Sequence, residues 1–488
     1  MSKTHIKNLF SQSVYYGIGL ILNRSLGTLL LPLYTLYFTT ADLGMYSIIY
    51  SIWLFINAIY ILGLETSFLK FFIASDNEKF KSETYSSIIA SVTFTSLFFS
   101  ALIFYFADNI SQLIEFDNLS KGAYLIKILA VMLFVDALYR FPLLLLRAEL
   151  RAKAYFVLTM VTLVINLLLN FILIINFQMN IEAIMYSYIA SAGVTFLIAL
   201  TITRQYLKPV ISFERIKKMI SFGFKFIWIG LMIIIIDQSD RFFLKYFFDE
   251  SVAGIYQAVY RLAAVMGLII TTFKFAWTPY FLNLEKNPEN KKIVSNIFTY
   301  YIFVATFLLL FFSFFTEHIV KLKIFGISFL DENYWQGLNI LPYLFLAYFF
   351  SGIFSFLNVA PFFSNKTFLL LIVTIIGTII NLVINLLIIP SLGMTGAAVS
   401  TFLTYFVMTI LIYLISQKIY PIPYQTKNIT IILLSSFIFF TLFQYLEFQN
   451  AIYNLFLNVA YIVVFTIISS KFGNIQLSNV KLIFKRAS

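Results

Sequence analysis

Long apolar runs separated by short polar segments make up most of the chain. A run of about 20 apolar residues is long enough to cross the hydrocarbon core of a bilayer as a helix. The sequence contains fourteen such runs, at residues 14–36, 46–73, 86–107, 122–146, 155–177, 181–203, 219–246, 254–275, 294–315, 338–360, 366–390, 393–416, 427–447 and 450–470. The pattern therefore predicts an all-α integral membrane protein with 14 transmembrane helices.

Composition supports this class and excludes others. Of the 488 residues, 61% are hydrophobic and 11% are charged, with a mean hydropathy of +0.90, so the charges are too few to cover a soluble surface. The chain has no cysteine, and His5 and His318 match no metal-ligand spacing, which argues against disulfides and metal sites. The net charge of +12 is expected from cytoplasmic loops rather than from binding nucleic acid.

The distribution of basic loop residues gives the orientation. With the N-terminus placed inside, 22 lysines and arginines fall in loops on the cytoplasmic side, and three fall outside, Lys121, Lys321 and Lys323. We therefore expect both termini to be cytoplasmic. The longest outside loop, about residues 316–337, is too short for a folded domain. The largest inside loop, about residues 204–218, suits an elbow lying on the membrane surface.

Two halves on either side of this elbow resemble each other. The run GMYSIIY begins at Gly44 and matches GIYQAVY, which begins at Gly254, at an offset of 210 residues. An even number of spans in each half means that both halves point the same way. We therefore predict a parallel repeat of two six-helix lobes, residues 1–211 and 212–418. Two additional helices and a cytoplasmic tail follow at 419–488.

Asparagines support the same register. Asn166 and Asn170 in the fifth span match Asn381 and Asn385 in the eleventh, at an offset of 215 residues. Shared asparagines and glycines also occur in generic helix packing, which is the alternative explanation. The near-constant offset favours a repeat, as in transporters that rock two lobes about a central site.

Eight charged residues lie deep inside predicted spans. Burying one such charge near the bilayer centre costs at least ~2.5 to 3.5 kcal/mol, so these residues are expected to face an interior and to mark a pathway. The predicted substrate-binding residues are Arg24, Arg140, Arg241 and Arg261. The predicted coupling or cavity acids are Glu65, Asp136, Asp237 and Asp240.

Spacing suggests how some of these charges are used. Asp237, Arg241 and Lys245 are spaced i, i+4, i+8 on one helical stripe, which we expect to face a polar cavity. The alternative for Asp237 with Arg241, and for Asp136 with Arg140, is a local pair that neutralises itself. Arg24 has no acid in its own span and therefore requires a partner from elsewhere or an anionic ligand.

The chemistry of these groups points to transport rather than catalysis. Arginine binds phosphate oxygens bidentately and stays charged in a low dielectric. The acids could instead carry a coupling proton or sodium ion, or simply pair the arginines. The sequence has no Walker A, H-E-x-x-H or G-x-S-x-G motif, so we expect no enzyme and no cofactor.

Two segments resemble a known family. The run DRFFLKYFFDESVAGIYQAVYRL, from Asp240 to Leu262, is similar to the seventh and eighth helices of bacterial polysaccharide biosynthesis transporters, the O-antigen and capsule repeat-unit flippases. The run NRSLGTLLLPLYTLYFTTADLGMYSIIYSI resembles their first two helices. The resemblance extends over spans 1 to 12. It implies the fold of the multidrug/oligosaccharidyl-lipid/polysaccharide flippase superfamily, which multidrug and toxin extrusion (MATE) proteins share.

The family resemblance implies a function and a location. The expected substrate is an oligosaccharide repeat unit on undecaprenyl pyrophosphate, moved by alternating access from the cytoplasmic to the outer leaflet of the bacterial inner membrane. Arg24 and Arg241 correspond by position to the cationic cavity of such flippases. Spans 13 and 14 correspond to helices that form a lipid-tail groove in lipid II flippases. Expected partners are membrane lipids and the polymerase and chain-length machinery of the same pathway. The alternatives are a multidrug exporter of the same fold, a repeat-unit polymerase and a membrane scaffold.

Overall fold

A computed structural model describes residues 19, 21–23, 25–75, 77–284, 290–324, 326–446 and 451–473. Packing divides the chain into two compact units, Met1–Ala258 and Val259–Ser488. The described helices of the first unit are α1 Leu31–Tyr37, α2 Thr40–Tyr60, α3 Leu64–Ile73, α4 Glu78–Tyr105, α5 Ala107–Ile114, α6 Leu119–Ala148, α7 Ala152–Phe171, α8 Glu182–Thr203, α9 Phe213–Phe247 and the first residues of α10 Glu250–Leu284.

The second unit is also helical. It contains the rest of α10, α11 Asn290–Lys321, α12 Leu341–Leu357, α13 Val359–Phe363, α14 Phe368–Ile419, α15 Thr426–Tyr445 and α16 Ala451–Phe472. A two-residue antiparallel strand pair, β1 Lys323–Ile324 and β2 Ile327–Ser328, follows α11. This pair lies in the predicted outer loop 316–337, which agrees with the absence of a folded domain there.

Polar residues at the ends of apolar runs start several helices. Thr39, Asn77, Asn118 and Ser212 each accept a hydrogen bond from a backbone N–H in the first turn that follows, at the starts of α2, α4, α6 and α9. Such caps satisfy backbone donors that have no partner within the helix. They begin helices close to the boundaries that the apolar runs predict.

The described residues contain 11 helices that are long and apolar enough to cross a membrane, or up to 12 if a pair bent by 48° around residues 225 and 226 counts as one span. Helix α14 has 52 residues and is interrupted at Gly393, where φ is 54° and ψ is −131°. At about 1.5 Å per residue, a helix of that length is more than twice as long as a bilayer core is thick. Residues 14–18, 20 and 24 of the predicted first span lie outside the described residues, and the count of fourteen stays a prediction.

The asparagines of the predicted repeat make the same hydrogen bonds in each unit. In the first unit, Asn166 Nδ2 donates to Ser191 Oγ over 3.3 Å, and Asn170 Nδ2 donates to Asn166 Oδ1 over 2.9 Å. In the second unit, the corresponding distances are 3.4 Å for Asn381 Nδ2 to Ser400 Oγ and 3.2 Å for Asn385 Nδ2 to Asn381 Oδ1. This duplicated pattern is the result that an internal repeat predicts.

Helix α9 packs against α2 and α3, which places it in the first compact unit. The contact is close because glycines meet there. A Cβ added at Gly63, whose φ is 65°, would lie 2.2 Å from the carbonyl oxygen of Gly223. Nearby, Ser67 Oγ donates to the Met219 carbonyl oxygen over 2.7 Å. Compact packing thus divides the chain after residue 258, whereas the lobe boundaries at 211 and 418 describe the repeat and stay predictions.

Candidate functional site

A buried carboxylate organises a polar cluster inside the first unit. Asp136 on α6 is 1% exposed. Its Oδ2 accepts from Arg140 Nε over 2.8 Å and from Asn57 Nδ2 over 2.5 Å, while its Oδ1 accepts from the Tyr188 hydroxyl. Each oxygen therefore has at least one donor, and the donors come from three helices, α2, α6 and α8. A buried anion requires such hydrogen bonds.

Arg140 connects this anion to a second acid. Arg140 Nη1 donates to Glu65 Oε1 on α3 over 3.1 Å. The side chain of Arg140 is 31% exposed and that of Glu65 is 42% exposed, although both belong to apolar segments. The structure contains the local pair of Asp136 and Arg140, which the sequence offered as the alternative, and it adds Glu65 as a third member. We call Glu65, Asp136 and Arg140 the α3–α6 charge cluster.

The net charge of this cluster matters for what it can bind. Two carboxylates face one guanidinium, so the α3–α6 charge cluster carries one excess negative charge when all three groups are ionised. Such a site suits a proton, a cation or the hydroxyls of a neutral ligand better than it suits a phosphate. Of the other predicted substrate-binding arginines, Arg24 lies outside the described residues.

A second set of deep charges lies where α9 meets the start of α10. Arg241 and Asp240 are both 0% exposed. Arg241 Nε donates to Gln257 Oε1 over 3.0 Å, and its Nη1 donates to the Asp237 carbonyl oxygen. Asp240 Oδ2 accepts from the Tyr256 hydroxyl over 2.5 Å. These contacts join the two helices, and they keep Arg241 out of reach of a substrate in this structure.

The remaining predicted site residues are placed separately. Asp237 in the first unit and Arg261 in the second are both half-buried. Lys245, the third member of the predicted stripe, donates to the Glu115 carbonyl oxygen over 2.5 Å. Arg241 is fully buried, whereas Asp237 and Lys245 are half-buried, so the three residues of the predicted stripe do not share one environment. The assignment of this stripe to substrate binding stays a prediction.

Close backbone contact joins the starts of α2 and α10, on the predicted outer side. A Cβ added at Gly44 would lie 1.6 Å from the Glu250 carbonyl oxygen, and one added at Gly254 would lie 1.9 Å from the Thr40 carbonyl oxygen. The Thr40 and Ser251 hydroxyl oxygens are 2.5 Å apart. We call this contact the α2–α10 crossing.

Charged contacts surround the α2–α10 crossing. Lys121 Nζ lies 2.5 Å from Asp42 Oδ1, and the Asp117 backbone N–H donates to Glu250 Oε1 over 3.1 Å. These contacts tie the start of α6 and the segment before it to the starts of α2 and α10. Within the first unit, the three helix starts therefore form one connected set.

Several polar partners were not identified from the sequence. Asn57, Tyr188 and Gln257 bind the predicted charges, yet each is a single uncharged polar residue within an apolar run. The available signal was that a polar side chain inside a span requires a partner in the protein. Among the described residues, no group of three or more histidines, aspartates and glutamates could hold a metal ion.

Comparison with known proteins agrees with this architecture. A family model described as "Polysaccharide biosynthesis protein" matches residues 37–333, more than half of the chain. The chain belongs to the polysaccharide biosynthesis protein family. The resemblance seen in the α9–α10 sequence is thereby confirmed. A search of curated proteins found no match.

Solved structures show the fold of this family member. The lipid II flippase MurJ, in an inward closed conformation, matches with a TM-score of 0.74 and 14% identity, over 94% of this chain and 98% of that one. An inward-facing MATE family multidrug resistance transporter of the MOP superfamily matches with a TM-score of 0.66 and 15% identity, over 82% of this chain and 94% of that one. A variant of the Vibrio cholerae MATE transporter VcmN matches with a TM-score of 0.57 and 14% identity, over 85% of this chain and 96% of that one.

These neighbours confirm the predicted MATE-like membrane fold. By name they are a flippase and transporters and none of them is an enzyme, which agrees with the prediction made for this chain. The polysaccharide biosynthesis family member is thus a multi-pass membrane protein with a MATE-like fold.

Proposed function

We propose that the protein is a flippase that moves undecaprenyl-pyrophosphate-linked oligosaccharide repeat units from the cytoplasmic to the outer leaflet of the bacterial inner membrane, for O-antigen or capsule assembly. The family match over residues 37–333 carries this proposal, because it links a transporter fold to polysaccharide synthesis. The lipid II flippase neighbour supports a lipid-linked substrate.

Polar side chains within the apolar helices can replace the hydration that the substrate headgroup loses. A sugar headgroup loses hydration when it enters the membrane, and the protein has to supply replacement hydrogen bonds. The partly exposed Arg140 and Glu65 offer donors and acceptors inside an otherwise apolar unit. Arg24 and Arg241 are proposed to receive the pyrophosphate, and Arg241 first has to leave Gln257.

The proposed transport cycle is alternating access. The α2–α10 crossing closes the predicted outer end of the first unit in this structure. Movement of the substrate to the outer leaflet therefore requires the starts of α2 and α10 to separate. A proton or sodium ion is the proposed coupling ion, and Glu65 is its most accessible carboxylate in the α3–α6 charge cluster.

One observation favours a multidrug exporter as the second candidate. The α3–α6 charge cluster has an excess acid and lies beside Trp53 and Tyr188, a combination that suits organic cations. Family membership argues against this candidate, because its description refers to polysaccharide biosynthesis.

Depletion of the protein in cells tests the proposal. Complete lipid-linked repeat units are expected to accumulate on the cytoplasmic leaflet, where reagents that cannot cross the membrane do not reach them. Accumulation on the outer leaflet would instead indicate a polymerase. An unchanged distribution, with increased sensitivity to cationic dyes, would support the drug exporter.

A further inference from the structure

Aromatic side chains follow one face of α2 toward the α3–α6 charge cluster. Tyr46, Tyr50 and Trp53 are spaced by four and three residues and therefore share a helix face. Their ring centroids are 6.0 Å apart for Tyr46 and Tyr50, and 5.4 Å apart for Tyr50 and Trp53. Tyr188 of α8 meets Trp53 edge to face, at 5.6 Å.

These rings contact one another, and three of the four are partly exposed. Tyr46 is 7% exposed, whereas Tyr50, Trp53 and Tyr188 are half-buried. Neighbouring rings restrict their rotation, so these side chains are held in place. By contrast, Tyr256 of α10 is fully buried.

Hydrogen-bonding groups lie at the edge of this aromatic set. The Tyr188 hydroxyl and Asn57, one turn beyond Trp53, both donate to Asp136. Arg140 is held by the same carboxylate and keeps part of its side chain exposed. The indole Nε1–H of Trp53 is buried and has no hydrogen-bond acceptor among the described residues.

We propose that Tyr50, Trp53 and Tyr188, with Arg140 and Glu65 at their edge, form a subsite for one sugar ring of the transported oligosaccharide. A pyranose ring presents C–H groups on its faces and hydroxyls around its rim. Its faces match accessible aromatic rings, and its hydroxyls match a carboxylate and a guanidinium that lie side by side. This inference rests on the proposed flippase function and names where the sugar binds.

The charges distinguish a sugar from other parts of the substrate. A pyrophosphate would be repelled by the excess carboxylate of the α3–α6 charge cluster. A polyprenyl tail would cover the exposed parts of Arg140 and Glu65 without offering them further hydrogen bonds. A neutral ring with hydroxyls avoids both costs. The subsite is therefore assigned to the headgroup sugar, while the pyrophosphate is assigned to the arginines elsewhere.

Tryptophan fluorescence provides a direct test in the full-length protein. Substituting the other three tryptophans, Trp228→Phe, Trp277→Phe and Trp335→Phe, leaves Trp53 as the reporter. The probe is the free oligosaccharide released by mild acid from the lipid-linked fraction of the cells that make the protein. We expect a saturable change in Trp53 emission with this probe and none with inorganic pyrophosphate.

Matched variants show whether the rings make the contact. In the single-tryptophan protein, Tyr50→Leu is expected to weaken the oligosaccharide response about fivefold, the size typical of one aromatic contact. The control is Phe55→Leu, an exposed aromatic residue on another face of α2, which is expected to leave the response unchanged. Thermal unfolding identifies any variant that misfolds.

The outcomes separate this inference from the proposed function. Lack of response to the oligosaccharide, an equal response in Tyr50→Leu, or a response to a cationic dye instead of sugar would overturn the subsite. If the wild-type protein flips lipid-linked oligosaccharide while Trp53 stays silent, the subsite fails and the flippase stands. If Trp53 binds the sugar while flipping is absent, the flippase fails and the sugar site stands.

Discussion

Gly44 and Gly254 occupy matching places in the two predicted repeats, and the structure brings their backbones into contact. A Cβ added at Gly254 would lie 2.6 Å from the Gly44 backbone nitrogen and 1.9 Å from the Thr40 carbonyl oxygen. The residue that the repeat shares is therefore the residue that allows the starts of α2 and α10 to cross. No larger side chain fits at either position without moving a backbone.

Gly44→Ala should prevent the α2–α10 crossing from closing. The added methyl group would overlap the Glu250 carbonyl oxygen, and forced overlap of this kind costs about 1 to 3 kcal/mol. We expect a lower unfolding temperature in detergent and slower flipping. Gly230→Ala is the matched control, because a Cβ at Gly230 meets nothing within 4 Å. Equal unfolding temperatures and flipping rates in the two variants would show that the α2–α10 crossing has room for a methyl group at Gly44.

A reversible cross-link tests whether the crossing has to open. The chain has no cysteine, so Thr40→Cys with Ser251→Cys introduces a single pair, at hydroxyl positions that lie 2.5 Å apart. Oxidation should form a disulfide and stop flipping, and a reductant should restore it. Each single-cysteine variant serves as the control. Full flipping by the cross-linked protein would exclude an opening at this point.

Arg140→Leu should destabilise the protein more than removal of the whole α3–α6 charge cluster. Without Arg140, the Asp136 carboxylate would be buried with no cation beside it, and breaking a buried ion pair on one side costs about 3 to 5 kcal/mol. The triple variant Glu65→Gln, Asp136→Leu and Arg140→Leu leaves no uncompensated charge and should unfold at a higher temperature than the single variant. Thermal unfolding in detergent compares both variants with the wild-type protein. An order in which the triple variant is the least stable would contradict the role of Arg140.

Glu65 should carry the response to the coupling ion. It is the more exposed acid of the α3–α6 charge cluster, whereas both oxygens of Asp136 already accept hydrogen bonds. In proteoliposomes, the ratio of flipping with and without a proton or sodium gradient should fall to about one for Glu65→Gln. A gradient response equal to that of the wild-type protein would assign coupling to another group.

Arg24→Ala and Arg241→Ala should differ in stability. Arg241 is fully buried and joined to Gln257, so its removal should lower the free energy of unfolding by about 2 to 4 kcal/mol. Arg24→Ala is expected to stop flipping while the unfolding temperature stays near that of the wild type. Normal flipping in Arg24→Ala would remove that residue from the substrate site.

Sequence reasoning predicted the features that depend on local pattern. Apolar runs predicted the membrane fold, and the i, i+4 spacing of Asp136 and Arg140 gave a local ion pair as the alternative interpretation, which the structure contains. The repeat predicted that Asn166 and Asn381 occupy similar surroundings, and both donate to a serine hydroxyl. Each of these features needs only periodicity along one or two helices.

Features that depend on packing between helices were not predictable in this way. Periodicity indicates which face of a helix carries Arg241, but not that Gln257 from α10 binds it and that the side chain is wholly buried. For the same reason the aromatic contact of Trp53 with Tyr188 could not be predicted, since the two residues are on helices that are distant in sequence. The break at Gly393 depends on a local backbone conformation that hydropathy does not detect.

The most direct test of the central claim is flipping by the purified protein. Proteoliposomes would contain undecaprenyl-pyrophosphate oligosaccharide with a fluorescent label on the sugar, and a reductant that cannot cross the membrane would bleach the label in the outer leaflet. The flippase account predicts that bleaching proceeds beyond the outer-leaflet fraction seen in protein-free vesicles and approaches completion. Bleaching that stops at the protein-free level would contradict it.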